Sequence, residues 1–329
     1  MKQQPKAVRE AIRFLKACII PVGMWLLFAI LTGGRTATQR MFLNTMRQSV
    51  TASVICYGLM LNMSVGMLNF SAGAMMLFAG IIGGNLAKLT GTGIPGMVVF
   101  IVAISVAVGA LTGLLYKLMR VPCIVLSIGL MLVWEAAPKL IFPDGLNLKA
   151  NMTILARNPY CFYVLGICLV LFFVLYNLTA FGHNLRAIGS NQAFANSVGL
   201  NGDKIKFLSF VFGAVFMGVA SVLYMSERGE VRNMQTMGSL AIMMDGFMAM
   251  FFAKFLSRYC DMSIAVIFGT FSMKMLTNGF VAMGISSTMR DVTQGFFLLV
   301  LLVISANSGI MEKKKADREF ARKCREEIT

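Results

Sequence analysis

Three ionisable side chains lie inside long apolar stretches of the sequence. Asp245 and Lys274 each fall near the middle of such a stretch, and Glu135 falls late in another, between Trp134 and Pro138. Because a charge in hydrocarbon is costly, an intramembrane charge usually faces a partner or a cavity. We expect Asp245 and Lys274 to pair across neighbouring helices, as a structural ion pair, part of a solute pathway or a proton relay. Glu135 fits either the pathway or a position near the outer headgroups.

A polar turn is a second candidate for pathway chemistry. Asn69 and Ser71, followed by Gly73, interrupt two apolar runs. Such a break predicts a tight re-entry of the chain near the cytoplasmic face. Asn69 and Ser71 would line a gate or constriction there; the alternative is a turn whose glycines serve helix packing.

Residue types that support catalysis do not come together in the sequence. His183 is the only histidine, and the seven cysteines include no Cys-x-x-Cys pair. There is also no Gly-x-x-x-x-Gly-Lys-Ser/Thr loop of the kind that cradles phosphates. We therefore predict no enzyme activity and no catalytic, cofactor-binding or metal site, so any ATP hydrolysis would need a separate subunit.

Composition places these residues in a membrane protein. The 329 residues are 57% hydrophobic and 13% charged, with a mean hydropathy of +0.75, whereas soluble domains carry about 25% charged residues. Only eight acidic residues fall between positions 17 and 311. The predicted fold is an all-α polytopic membrane protein with about ten transmembrane helices. The corresponding apolar runs lie at about 17–32, 49–66, 69–87, 95–116, 122–142, 160–180, 207–226, 238–253, 262–283 and 291–310.

The basic residues orient these helices. With both termini in the cytoplasm, cytoplasmic segments hold 19 Lys and Arg and external segments hold 10, as the positive-inside rule favours. We predict a basic cytoplasmic tail over 1–16, a transmembrane domain over 17–310 and a charged cytoplasmic tail over 311–329. The predicted location is the cell membrane. The +16 net charge flanks apolar runs, so no nucleic-acid partner is expected.

One predicted cytoplasmic connection, residues 181–206, is long enough to hold its own helix. Ser190 or Asn191 suits the N-cap of a two-turn helix, which would stop near Gly199. Its apolar side chains would be exposed at Ala193, Phe194 and Ala195. Such a helix suits docking of a partner protein; the alternative is a helix that lies on the lipid surface.

This connection resembles the corresponding loop of ribose-type ABC importer permeases, a sugar and nucleoside family. The stretches that carry the resemblance are Ala187-Ile-Gly-Ser-Asn191 with Gly199-Leu-Asn201, Gly66–Gly73, Leu118-Met-Arg-Val-Pro122, Thr277-Asn-Gly279, Gly284-Ile-Ser286 and Gln294-Gly295. They occur in the family's order between about residues 50 and 306, so the set is more specific than any one stretch. Two places depart from the pattern: Asn69 replaces an acid, and 249–258 is bulky and basic where the family has glycines.

The resemblance implies a permease subunit of an ATP-driven importer for a sugar or similar small polar solute. The implied partners are cytoplasmic ABC ATPases, a second permease subunit in a homodimer or heterodimer, an extracytoplasmic solute-binding protein and the bilayer. The helix that couples to the ATPase would use Asn191, Ala193, Phe194, Ala195 and Gly199. The pathway candidates are Asn69, Ser71, Glu135, Asp245, Lys274 and Asn278.

A self-sufficient secondary transporter is the alternative function. It would use Glu135, Asp245 and Lys274 as an ion or proton relay and would need no ATPase. Co-purification with an ATPase, or uptake by the chain alone under an ion gradient, would separate the two.

Overall fold

The computed structural model describes residues 6–286, apart from Arg120 and Gln235, and part of the stretch 289–303. These residues form eleven α-helices and one two-stranded antiparallel ribbon. The helices are α1 (Lys6–Leu31), α2 (Gln39–Ser64), α3 (Ala72–Thr90), α4 (Gly93–Met119), α5 (Cys123–Ile141), α6 (Tyr160–Phe173), α7 (Ala180–Ser190), α8 (Gln192–Ser197), α9 (Gly202–Arg228), α10 (Ser239–Leu256) and α11 (Met262–Ala282). The ribbon pairs β1 (Leu146–Asn147) with β2 (Glu230–Val231). A π-helical turn, Val174–Leu178, extends α6.

Seven of the described helices are long and apolar enough to cross a membrane: α3, α4, α5, extended α6, α9, α10 and α11. The first two predicted spans differ from this pattern. In α1 the apolar part covers only Pro21–Leu31, although the helix begins at Lys6, inside the predicted tail. In α2, polar residues through the first half lower the hydropathy. The predicted tenth span lies mostly outside the described residues and the tail at 311–329 entirely so, and the number ten stays a prediction.

Helix α2 lies among the other helices despite its lower hydropathy. It packs against α6, α9, α10 and α11, and Tyr57 in its second half is fully buried. The Tyr57 hydroxyl donates to the carbonyl oxygen of Ser263 at 2.8 Å, and its ring stacks 4.6 Å from that of Phe172. Because neighbouring helices pack around this part of α2, polar side chains such as Thr45, Ser49 and Ser53 are buried among protein groups instead of meeting hydrocarbon.

Helices α4 and α9 approach to backbone contact. A Cβ atom added at Gly109 would overlap the Cβ of Ala214, and one added at Gly218 would lie 2.9 Å from the Cα of Val102. The Ser105 hydroxyl donates to the carbonyl oxygen of Ala214 at 2.7 Å across this contact. Small residues allow the approach, so larger side chains at these positions would separate the two helices.

Helices α10 and α11 also pack closely, although 249–258 lacks the family's glycines. A Cβ atom added at Gly269 would lie 2.9 Å from the backbone nitrogen of Ala253 and 3.2 Å from the carbonyl oxygen of Ala249. The two alanines therefore present the small surface on α10 that the close approach requires. Of the larger residues of the same stretch, Met250, Phe251, Phe252 and Leu256 are buried, whereas Lys254 and Arg258 are exposed.

The connection predicted as a loop at 181–206 contains two helices, since α7 precedes α8. Thr179 explains the start of α7, because its hydroxyl oxygen accepts from the backbone nitrogen of Gly182 at 3.2 Å in an N-cap. Gly189, near the end of α7, sits against the carbonyl oxygen of Ser64 at the end of α2. Thr179 falls within the predicted transmembrane run 160–180, so this cap was not predicted.

Candidate functional site

A polar cavity of about 300 Å³ lies between α2, α9, α10 and α11. Its walls mix charged, polar and apolar side chains from all four helices. The lining residues are Gln48, Thr51, Ala52, Ile55, Tyr224, Glu227, Arg228, Ile242, Asp245, Gly246 and Lys274. Ligand sites in proteins occupy about 300–1,000 Å³, so the cavity has the volume of a small-molecule site.

An ion pair forms one wall of this polar cavity. The Lys274 ammonium group donates to Asp245 Oδ2 at 2.8 Å, between α11 and α10. The side chain of Lys274 is 20% exposed and that of Asp245 is 38% exposed. Each charge therefore has its neutralising partner and keeps contact with the open space of the cavity.

Asn278 lies one turn beyond Lys274 on α11 and connects that helix to α2. Its amide nitrogen donates to the hydroxyl oxygen of Thr45 at 2.9 Å and to Gln48 Oε1 at 3.1 Å. Gln48 itself lines the polar cavity. Three predicted pathway residues, Asp245, Lys274 and Asn278, thus come together at one place in the fold.

The end of α9 supplies the remaining charged groups of the polar cavity. The Arg228 guanidinium carbon lies 4.7 Å from the centre of the Tyr224 ring, a distance that suits a cation–π contact. Tyr224 is buried, and among the described residues its phenolic oxygen has no hydrogen-bond partner. Glu227 is its neighbour on the lining. One buried hydroxyl at the polar cavity is therefore left without a protein partner.

Glu135 belongs to α5 and does not line the polar cavity; its carboxylate group lies at the beginning of α10. One of its carboxylate oxygens accepts from the backbone nitrogen of Met237 at 2.6 Å, and the other accepts from that of Ser239 at 2.7 Å. Met237 is held with φ at +64°, a region that non-glycine residues seldom adopt. The negative carboxylate at a helix N-terminus is favourable, so Glu135 fixes the start of α10 to α5.

Asn69 and Ser71 also lie apart from the polar cavity. Asn69 Oδ1 accepts from the backbone nitrogen of Ser71 at 3.1 Å and from its hydroxyl at 2.7 Å. Both side chains are buried. Their polar groups thus bond to each other in a local turn that leads into α3.

The predicted coupling helix corresponds to α8. Gly199 follows it with φ at +87°, and Leu200 N donates to the carbonyl oxygen of Ala195 at 3.1 Å, the arrangement that ends a helix at glycine. Asn191 and Ala193 are exposed, whereas Ala195 is 2% exposed and packs inward, contrary to the expectation of an exposed side chain. The side chain of Phe194 lies outside the described part of the chain.

Helix α8 and the polar cavity lie at opposite ends of α9. At the first end, the Lys206 ammonium group donates to Gln192 Oε1 at 3.3 Å, which ties α8 to α9. At the other end, Tyr224, Glu227 and Arg228 line the polar cavity. The helix has 27 residues, which is about 40 Å at 1.5 Å per residue. A single helix therefore links the two places.

Of the eleven residues that line the polar cavity, sequence reasoning predicted Asp245 and Lys274 and missed the others. Gln48 and Thr51 stand three residues apart on α2 and so share a helix face. That polar spacing in an otherwise buried helix was the available signal. Tyr224 carried no such signal, because only the fold brings it to the cavity that Asp245 and Lys274 also line. The exposed Val198 after α8, 65% exposed, was also missed.

Comparison with known proteins gives a family for this architecture. The family model described as "Branched-chain amino acid transport system / permease component" matches residues 41–305. The chain belongs to this permease family. This family includes the ribose-type ABC importer permeases that the sequence resembles. The chain is a divergent member of the family and a multi-pass membrane protein.

Individual relatives are distant. The chain is 22% identical over 262 residues to the "Autoinducer 2 import system permease protein LsrC" of Photorhabdus luminescens, which covers 76% of this chain and 77% of the relative. The protein of the same name from Yersinia pseudotuberculosis serotype O:1b is 22% identical over 247 residues, 72% of this chain and 70% of the relative. For Klebsiella pneumoniae the match is 28% over 139 residues, and it spans only 40% of each chain. No solved structure matches the permease.

Proposed function

We propose that the permease is the transmembrane subunit of an ATP-driven importer of a sugar or similar small polar solute. It would work with two cytoplasmic ABC ATPase subunits, a second permease subunit and an extracytoplasmic solute-binding protein. The proposal places both chain termini in the cytoplasm, and with them α8. The relatives are named for import of autoinducer 2; from that name we take only the solute class.

The observation that carries the proposal is the link between α8 and the polar cavity through α9. An importer driven by separate ATPases needs a docking element on the cytoplasmic side and a polar passage within the bundle. Helix α8 offers exposed residues beside the start of α9, and the polar cavity lies at the far end of that helix. A shift of α8 upon ATP binding would then move the cavity wall that carries Tyr224.

Secondary transport fits the arrangement less well. A relay needs its three ionisable groups within reach of one another. Both carboxylate oxygens of Glu135 instead accept from backbone nitrogens at the start of α10, and Asp245 is bonded to Lys274. Asp245 is six residues beyond Ser239, about 9 Å along the helix axis.

Partner capture from the native membrane tests the proposal. We expect the tagged full-length chain, extracted in mild detergent, to bring down an ABC ATPase that mass spectrometry identifies. Val198→Glu places a charge on the exposed surface next to α8 and should abolish this capture. Asn147→Glu adds the same charge at the exposed ribbon strand β1 and should leave it unchanged.

Two results would contradict the proposal. One is wild-type chain that never co-purifies with an ATPase. The other is Val198→Glu chain that keeps both the ATPase and full uptake.

A further inference from the structure

We propose that an apolar groove between α1, α2, α6 and α11, here called the lipid groove, binds one acyl chain of an anionic phospholipid whose headgroup is attracted by Arg35 and Arg40. The lipid groove and the polar cavity share no described lining residue. The inference does not rest on the proposed function, because it requires only that the chain lies in a membrane.

The lining of the lipid groove suits hydrocarbon. The groove has a volume of about 270 Å³, and its described lining is aliphatic and aromatic apart from Ser49. The Ser49 hydroxyl already donates to the carbonyl oxygen of Met46 at 2.6 Å. Water in a cavity needs two to four polar partners, which this lining does not supply. An apolar occupant is therefore the one that the lining favours.

The lipid groove opens towards the bilayer. Helix α11 packs against α1, α2 and α6, so it forms the floor, and α1 and α6 form the rims. Val22 on the first rim is 51% exposed, and Ile167 on the second is 68% exposed. Extended α6 and α11 are long and apolar enough to cross a membrane, so these rims face hydrocarbon. A lipid chain in the groove restores the dispersion contacts that empty space would forfeit.

A second copy of the chain fits the lipid groove less well than a lipid chain does. An α-helix with its side chains is about 10–12 Å across, so one turn of it takes up roughly 400–600 Å³. That exceeds the volume of the groove. A neighbouring helix would cover the opening without filling the space beneath it, whereas a single acyl chain is narrow enough to enter.

The lipid groove begins near the end of the bundle that carries the α1–α2 turn. The rings of Trp25 and Phe42, which both line the groove, are 6.2 Å apart. Phe42 is three residues from the start of α2, about 4.5 Å along the axis. From Phe42 to Ser49 the groove follows α2 for about 10 Å, within the roughly 15 Å that one leaflet contributes to the hydrocarbon core. A lipid chain in the groove thus places its headgroup beside the turn.

The α1–α2 turn carries positive charge that the protein leaves unpaired. Arg35 and Arg40 are exposed, and in the part of the chain that the structure describes neither forms an ion pair. The sequence supplies no Asp or Glu between Glu10 and Glu135. One basic residue near the membrane surface raises the binding constant of an anionic lipid about fivefold. The charge at the turn therefore complements a phospholipid with a net negative headgroup.

Tryptophan fluorescence tests the proposal, because Trp25 and Trp134 are the only tryptophans in the sequence. In the full-length Trp134→Phe chain, Trp25 alone reports on the lipid groove. The chain is placed in nanodiscs of one fixed mixture of phosphatidylcholine and phosphatidylglycerol, in which either lipid carries bromine midway along an acyl chain. We expect brominated phosphatidylglycerol to quench Trp25 with an apparent binding constant about fivefold higher.

The second tryptophan serves as the control reporter. In the Trp25→Phe chain, Trp134 remains; its ring packs 5.2 Å from that of Phe78, and it does not line the lipid groove. We expect the two brominated lipids to quench it equally. A preference for phosphatidylglycerol that is as large at Trp134 as at Trp25 would overturn the inference, because it would then belong to the whole protein surface.

Variants separate the headgroup from the acyl chain. Arg35→Gln with Arg40→Gln should remove the preference for phosphatidylglycerol at Trp25, whereas Lys139→Gln with Lys149→Gln removes the same charge from exposed positions elsewhere and should leave it. Val22→Phe fills the groove from its rim and should weaken quenching of Trp25 by both lipids. Val170→Phe, at an exposed position of α6 outside the lining, should not.

Two results in the Trp134→Phe chain would overturn the inference. Equal quenching of Trp25 by the two brominated lipids would show that the site does not select an anionic headgroup. Absence of quenching by either lipid would show that protein, such as a second copy of the chain, covers the lipid groove. Neither result bears on capture of an ATPase, so the proposed function is tested separately.

Discussion

Glu135 and Asp245 are both acids within apolar helices, but the protein satisfies them in opposite ways. Glu135 is 6% exposed, and its two oxygens accept the backbone N–H groups of Met237 and Ser239. Asp245 is bonded to Lys274 through one oxygen and keeps a side chain that is 38% exposed beside the polar cavity. The number of hydrogen-bonding positions left open, and not the charge alone, separates a structural acid from a candidate pathway acid.

Changing Glu135 to Ala should give the largest loss of stability. The buried N–H group of Ser239 and the partly buried N–H group of Met237 would lose their acceptor, at about 1–3 kcal/mol each, so we expect the free energy of unfolding to fall by roughly 3 kcal/mol. Denaturant unfolding in detergent micelles measures this. Glu135→Gln keeps one acceptor oxygen and should lose less. A Glu135→Ala chain as stable as wild type would mean that α10 does not depend on this cap.

Changing Lys274 to Gln should lower the stability less than Glu135→Ala does, but it should reduce solute uptake more. Asp245 would lose its partner, yet its exposure to the polar cavity lets water replace part of the bond, so we expect a loss of about 1 kcal/mol. Thermal unfolding and solute uptake by the assembled importer measure the two effects. The double change with Asp245→Asn should recover the stability. If the double variant were as unstable as the sum of its parts, the pair would not be energetically coupled.

Changing Asn278 to Ala should have a smaller effect again. Its two hydrogen bonds join α11 to Thr45 and Gln48 on α2. Thr45 is fully buried, but Asn278 and Gln48 are only half-buried, and Gln48 lines the polar cavity. We expect a loss of about 0.5–1 kcal/mol, measured by the same unfolding assay. A loss as large as that of Glu135→Ala would show that this contact is closed to solvent, and would place Asn278 with the structural group.

Changing Arg232 to Ala should leave stability unchanged within error. Its bond to Glu230 is 3.0 Å long, but the two side chains are 85% and 54% exposed, and exposed ion pairs contribute little. Unfolding curves that superimpose on the wild-type curves are the expected result. A clear loss would mean that the ribbon between β1 and β2 depends on this pair.

The sequence predicts the pairing partners in this bundle better than it predicts their surroundings. Opposite charges near the middle of two successive apolar runs were sufficient to suggest the Asp245–Lys274 contact, because antiparallel neighbours bring mid-helix positions together. The cap formed by Glu135 could not be inferred in this way. It depends on where α5 ends relative to the start of α10, which no local pattern specifies.

The helices show the same difference between what a local pattern predicts and what only the fold determines. Seven of the ten predicted apolar runs correspond to described helices long enough and apolar enough to cross a membrane, including α4 and α9. The polar first half of α2 lowers the signal, because burial between helices removes the need for an apolar surface. The polar cavity is correspondingly hard to predict, since Gln48 and Thr51 matter only once α2 lies against α9, α10 and α11. Polar spacing on a helix identifies a face but not its neighbour.

The backbone contact between α4 and α9 has a consequence for the surrounding bilayer. Each helix has 27 residues and is about 40 Å long, longer than a hydrocarbon core of about 30 Å. A helix of that length accommodates the difference by tilting, and α4 exposes apolar side chains such as Val99 and Leu111 along its surface. Since α9 is in backbone contact with α4, the packing angle between the two helices relates the tilt of α9 to that of α4. The tilt of α9 in turn sets how far apart α8 and the polar cavity stand along the membrane normal.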